Sequence, residues 1–566
     1  MKLRALAAVF ALTILILSCA SIAWAEDSSP PPPEEAYLNY MLGYEAGLEG
    51  RLDDELSYYE QALQYDPSDE YLQTEVVNSL IKLGRTEDAE RRADAILKDD
   101  PDNVSALLLL ASIKRNLNKT DDAIALYERV LTIDPGQESA YLHLGVLYST
   151  VQEMEKAKDI LLELLKKNPD NATGHFYLGV IYLEGKYLKK AKEHLERSIE
   201  LNPDIDSAYL NLGIISEING DKDKAEGYYK QAIEVNPHNE LAREKLAQFY
   251  VRQETPDKAI EQYTKLKSLD PSNLDIHLKL AFLYLENDEY ELAITEFQKV
   301  LESKPNEIVP RYYMALALEE LDRYDEAIDA HKKIISLDPK YKNSFLHLGY
   351  LYSLQGQFEK AAASYEELLS FDRDEPPIFM QLGNVYIQMK DYAKAEKVLD
   401  DGISLHDDDA DLHFTLAVVY EKTNRFDGMV DELKKAIEID PKHADALNYL
   451  GYSYADKDMN LDEALSLIKR ALELKPNSGY IIDSLGWVYF KMGKNKLALE
   501  KITEAIKLAG DDSILYEHLG DVYNALGKST EALAAWQKAL TVKSEDEDET
   551  LPDRVKKKIE SIKNSE

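Results

Sequence analysis

From about residue 36 to residue 540, apolar side chains return every three or four positions, in stretches separated by short polar breaks. That spacing gathers them on one face of a helix, because an α-helix turns once in about 3.6 residues. The stretches come in pairs. Prolines close successive pairs at positions 67, 101, 135, 169, 203, 237, 271, 305 and 339, each 34 residues after the last, and the register resumes in phase at Pro441. Proline cannot continue the preceding hydrogen-bond ladder, and Asp66, Asp100, Asp134, Asp270, Asp338 and Asp440 just before it suit a turn. The pattern predicts an all-α chain of helical hairpins.

Two further columns run in the same register. Small residues stand ten positions after each proline, from Gly43 through Gly145, Gly179 and Gly213 to Gly520, with Val77 the one break. Alanines follow twelve positions later, among them Ala89, Ala123, Ala157, Ala191 and Ala225. The expectation is that the two columns meet, glycine or alanine against alanine, where the helices of a hairpin cross. Tyrosines such as Tyr148, Tyr182, Tyr250, Tyr352 and Tyr386 lie three residues after the small position, on the same face, and explain much of an excess of 37 Tyr over 12 Phe.

Segments such as Ala140-Tyr-Leu-His-Leu-Gly-Val-Leu-Tyr148, followed by Ala157 and Pro169, resemble the tetratricopeptide-repeat (TPR) family, for which a 34-residue period is the signature. The resemblance covers nearly the whole chain after residue 35. It implies a right-handed α-solenoid of about fifteen hairpins over residues 36–540, with the first helices lining a concave groove. Arg373 in place of the proline, with Pro376 and Pro377 moved into the next helix start, suggests a bend or joint near 370–410. One extra residue between Lys457 and Leu461 shifts the register. After an acidic stretch, residues 541–566 end in a helix with Val555, Ile559 and Ile562 on one face, suited to capping the open end of the stack.

Residues 1–25 have the layout of a secretory signal: Lys2 and Arg4, an apolar run from Ala5 to Leu17, then small residues. Two processing routes stay open. Ala23-Trp-Ala25 permits cleavage before Glu26, whereas Ile16-Leu-Ser-Cys19 resembles the lipobox at which bacterial lipoproteins are cut and acylated, here on Cys19; an uncleaved anchor is a third reading, since Ala5 to Ala25 is just long enough to span a bilayer. Residues 26–35 are proline-rich and charged, a stiff spacer. The expected location is the periplasm, with anchoring to the outer membrane through lipid on Cys19.

The net charge of −39 repels phosphate backbones and anionic lipid, which argues against nucleic acid as a partner. Cys19 is the one cysteine, so the mature chain offers no disulfide and no thiolate metal site. No P-loop, His-Glu-x-x-His or Gly-x-Ser-x-Gly motif occurs. Eleven histidines are scattered; His143, His347 and His518 share a repeat position in distant repeats and read as surface or groove residues. The chain is expected to be no enzyme and to need no metal or cofactor.

The groove is the candidate site. Positions three before and one after the small residue form a stripe offset from the packing stripe, which gives Leu142, Phe176, Val180, Leu210, Ile214, Leu278, Phe282, Tyr312, Tyr350 and Phe414 as contacts for an extended polypeptide. None of the fifteen positions three before the small residue is lysine, so the lysine clamp with which related co-chaperones hold a C-terminal carboxylate is missing.

Toward the C-terminus, Leu447-Asn-Tyr-Leu-Gly-Tyr-Ser-Tyr454, Ile482-Asp-Ser-Leu-Gly-Trp-Val-Tyr489 and His518-Leu-Gly-Asp-Val-Tyr523 with Ala535-Trp-Gln-Lys-Ala539 resemble Gram-negative envelope TPR lipoproteins of the LbcA kind. The resemblance implies an adaptor that binds a periplasmic carboxyl-terminal processing protease and brings it substrates such as cell-wall hydrolases. A scaffold for an outer-membrane export or assembly system, for polysaccharide or pilus, is the alternative.

Overall fold

The computed structural model describes residues 34–542 and 550–563; the stretch read as a secretory signal, with Cys19, the stretch read as a spacer, up to residue 33, and residues 543–549 and 564–566 lie outside the described residues. Among the described residues there are thirty-one helices and no strand. The chain forms two compact units, up to Ser272 and from Asn273 onward. The first holds seven hairpins between Glu34 and Leu269, the second eight between Leu274 and Ala539 and a closing helix, Leu551–Lys563. No described helix is long and apolar enough to cross a membrane.

A representative hairpin pairs Glu138–Thr150 with Met154–Lys167. The turn inside each hairpin carries a residue with positive φ, a glycine at positions 50, 84, 220, 356, 493 and 527 but Asn118, Gln152, Lys186 or Glu254, for example, in other turns. The extra residue of the shifted repeat is accommodated here, with Asp458 and Asn460 both left-handed. Between hairpins the aspartate before the proline closes the turn. Asp134 Oδ1 accepts the Gly136 amide at 2.9 Å, Asp338 that of Lys340 at 3.0 Å and Asp440 that of Lys442 at 2.9 Å. At other junctions an asparagine or aspartate caps the next helix, as Asn103 does for Ala106 and Asn171 for Gly174, whereas Gln137 and Tyr341 give no side-chain cap.

At Arg373 the proline is gone but the turn device is kept, since Asp372 Oδ1 accepts the Asp374 amide at 3.1 Å and Pro376 opens the next helix. One apolar core runs from Ile294 to Val419 through this segment, so the turn changes composition without interrupting the packing.

The small column meets something other than alanine. A β-carbon on Gly145, Gly179 or Gly213 would fall 2.8, 2.7 and 2.6 Å from the side chains of Leu161, Leu195 and Tyr229, each sixteen residues later. The alanines of the other column are fully buried, yet what Gly179 approaches is the Ala191 carbonyl, at 3.3 Å, and not its methyl group. The joint is thus small against large, with the alanine column letting the second helix's backbone come close. Val77 obeys the same rule inverted: its partner sixteen residues on is Ala93, and both are fully buried.

The tyrosine column also serves the hairpin. Tyr148, Tyr182, Tyr250, Tyr352 and Tyr386 are buried, and the lysine eight residues after each holds its ammonium 5.1–5.4 Å from the ring centre. Tyr148, Tyr250 and Tyr386 donate their hydroxyls to Glu128, Glu226 and Glu366 of the preceding hairpin. Burial, and then the Glu226 carboxylate, push the Tyr250 phenol up to about 12.

Candidate functional site

In the first unit, Leu142, Phe176, Val180 and Ile214 are half-buried on the first helices of consecutive hairpins. Phe176 leans on Tyr177, ring centres 5.2 Å apart. Between helices Glu138–Thr150 and Ala172–Glu184 lies an open depression of about 620 Å³, lined by Val146, Met154, Tyr177, Val180 and Glu184. The predicted stripe therefore borders a real hollow at Val146 and Val180. Leu210 does not belong to it: at 5% exposure it is a packing residue.

In the second unit Leu278, Phe282, Tyr312 and Phe414 are half-buried, and Tyr350 is 53% exposed. Phe282 packs edge-on against Phe297 and Tyr313, and Phe414 rests on His443 and Tyr449. Their rings therefore offer one face or edge while the other supports the hairpin. Tyr350 presents the freest aromatic surface of the predicted set.

The same register positions change character near the C-terminus, where they are Asn448, Tyr452, Asp483, Trp487, Glu517 and Asp521. Glu517 is 2% exposed and is held by Arg554 and Lys558 of the closing helix, at 2.6 Å each; Lys558 also reaches Asp521 at 2.6 Å. His518 is 4% exposed, stacks on Trp487 with ring centres 4.0 Å apart and bonds Asp483 at 2.8 Å. The expectation that it lies on the surface or in the groove is corrected by this pairing, which makes it part of the packing; His143 and His347 stay half-buried.

Burial disfavours a charged His518, but Asp483, with Asp521 and Glu517 behind it, outweighs that and holds the imidazole above its ordinary value. Tyr452, Arg554 and Lys558 also face this cluster. A histidine with a raised folded pKa contributes stability that is complete below the unfolded value of 6.5 and is lost as pH rises through the folded one. Corrected for the intrinsic base-catalysed rate, the protection of residues 513–525 against hydrogen exchange is expected to fall over that upper window in the wild type and to stay level in His518→Gln. An equal pH dependence in both proteins would refute the assignment.

These paired helices define a class of proteins built from repeated α-helical hairpins. Family profiles described as tetratricopeptide repeat match residues 36–69, 77–138, 117–175, 172–205, 219–273, 251–319, 318–380, 354–417, 410–443, 432–466 and 484–548. The chain belongs to the tetratricopeptide-repeat superfamily. It is similar to the TPR repeat-containing protein PA4667 of Pseudomonas aeruginosa, 40% identical over 74 residues, which is 13% of this chain and 12% of that relative's length. Among solved structures it is similar to a chain of the APC/C hetero-tetramer Cut9-Hcn1, at 15% identity and a TM-score of 0.35, over 81% of this chain and 98% of that one. PilF of Pseudomonas aeruginosa matches at 22% identity and a TM-score of 0.33, over 36% of this chain and 93% of that one.

Proposed function

We propose that this chain is an exported, non-catalytic adaptor of the cell envelope, which holds extended polypeptide against its first helices and presents it to a periplasmic carboxyl-terminal processing protease. The observation that carries the binding role is the stripe of half-buried apolar and aromatic side chains at fixed register positions, bordering an open hollow at Val146 and Val180. Net acidity favours basic or neutral segments as cargo. The protease role rests on the resemblance of residues 446–539 to envelope adaptors of that kind. Export rests on residues 1–25, with Cys19 as the acylation point of the lipoprotein form.

Affinity purification of the C-terminally tagged chain from native envelope extract tests the reading. A processing protease recovered together with cell-wall hydrolases supports it; export or assembly subunits in their place would transfer the protein to the scaffold alternative. Phe176→Ser with Val180→Ser in the first unit, and Tyr350→Ser in the second, are expected to lower capture of cargo by about tenfold, the loss of roughly 1.4 kcal/mol of binding, with helicity unchanged. Undiminished capture by all of them would remove the stripe from the binding surface.

A further inference from the structure

Three side chains from three successive helices of the second unit meet in a way the repeat does not require. They are Glu319 in Ile308–Glu320, His331 in Tyr324–Leu337 and His347 in Lys342–Leu354. His331 Nε2 lies 2.8 Å from Glu319 Oε1, and His347 Nδ1 lies 2.9 Å from Glu319 Oε2. One ligand-capable atom from each residue lies within 4.8 Å of the other two. His331 is fully buried, and the Glu319 side chain is 13% exposed.

The second nitrogen of each ring is already held. His331 Nδ1 is 3.0 Å from Ser344 Oγ, and His347 Nε2 is 3.3 Å from the Tyr312 hydroxyl. A hydroxyl can donate or accept, so either tautomer is tolerated and the inner nitrogens can present lone pairs toward Glu319. Outer hydrogen bonds of this kind orient metal-ligating histidines.

The register supplies an independent argument. His331 occupies the column sixteen residues after the small position, here Ala315. Other hairpins place Tyr59, Tyr127, Leu161, Leu195, Tyr229 or Phe297 there, and only this one places an imidazole. A fully buried polar ring has replaced the large apolar or phenolic side chain that ordinarily fills the joint, and two polar partners have been assembled around it.

We propose that Glu319, His331 and His347 form a site for a borderline divalent transition ion, with zinc as the ion committed to. Two imidazoles and one carboxylate are a donor set suited to zinc, and three protein ligands leave a fourth tetrahedral position for water. Metal–ligand bonds of about 2.0–2.1 Å put tetrahedral donors about 3.3 Å apart, so the side chains need small rotations to close on an ion. The site would tie three helices of two adjacent hairpins together beside Tyr312 of the binding stripe.

Calorimetric titration of the full chain with ZnCl2, in excess Mg2+ to occupy the many surface carboxylates, is expected to show one tight site per chain. Co2+ in place of zinc should give the visible absorption of a tetrahedral centre. His347→Gln, at a half-buried position, and Glu319→Gln should each weaken binding by at least about tenfold and erase the cobalt band. His143→Gln, at the same repeat position in a distant hairpin, should change neither. Dispersed weak binding without a tight site, or wild-type affinity in a folded His347→Gln, would overturn the proposal, and neither result would touch the polypeptide-binding reading.

Discussion

Gly213→Val is expected to destabilise the first unit by about 3 kcal/mol, the upper range for forcing extra methyl groups into a packed core. A β-carbon at 213 already falls 2.6 Å from the Tyr229 ring, and a branched side chain brings two further carbons. The ring has nowhere to go: it is fully buried, its hydroxyl donates to Glu217 at 2.9 Å, and it meets Phe249 edge-on. Gly227 on the facing helix is the control. It is exposed with nothing within 4 Å of where a β-carbon would sit, so Gly227→Ala should stabilise by about 1 kcal/mol through helix propensity alone. Chemical denaturation of both variants decides the matter, and equal stabilities would show that the glycine column is not a packing joint.

The second large effect is expected from ending the chain after Val542. Removal of the closing helix strips Leu551, Val555, Ile559 and Ile562 from Tyr516, Ala532, Trp536 and Ala539. All four are at most 8% exposed, and together their burial is worth on the order of 5 kcal/mol. Glu517 would also lose both of its cationic partners. Repeat stacks unfold locally, so the loss should appear as faster hydrogen exchange over residues 513–539, with residues 138–269 unchanged. Unaltered exchange over 513–539 would mean that the last hairpin stands without its cover.

The period, the turns and the number of hairpins were legible in the sequence because each depends on residues with one physical reason for their place: proline ends a helix, aspartate closes the turn after it, glycine permits close approach. The closing helix was legible for the same reason, through Val555, Ile559 and Ile562. The partner of the small column was misread. The alanine twelve residues on repeats more uniformly than the mixture of leucine, tyrosine, isoleucine and tryptophan sixteen residues on, although the mixture is what fills the space. Leu210 was placed in the stripe by register alone, which reports direction along a helix and not what a neighbouring helix lays over it. The meeting of Glu319 with His331 and His347 left no local motif, since its members stand 12 and 28 residues apart and are joined only by the stacking of three helices.

The inverted pair Val77 and Ala93 bears on how such a chain can be cut and rejoined. Setting helix Glu70–Lys82 before another hairpin's second helix would drive valine into a leucine or tyrosine, and setting Thr86–Asp99 behind another first helix would leave a hole beside glycine. The unit of exchange is therefore the whole hairpin. Grafts, deletions or duplications that break at the aspartate–proline turns should be tolerated, whereas those that break between the two helices of a repeat carry away half of a matched joint.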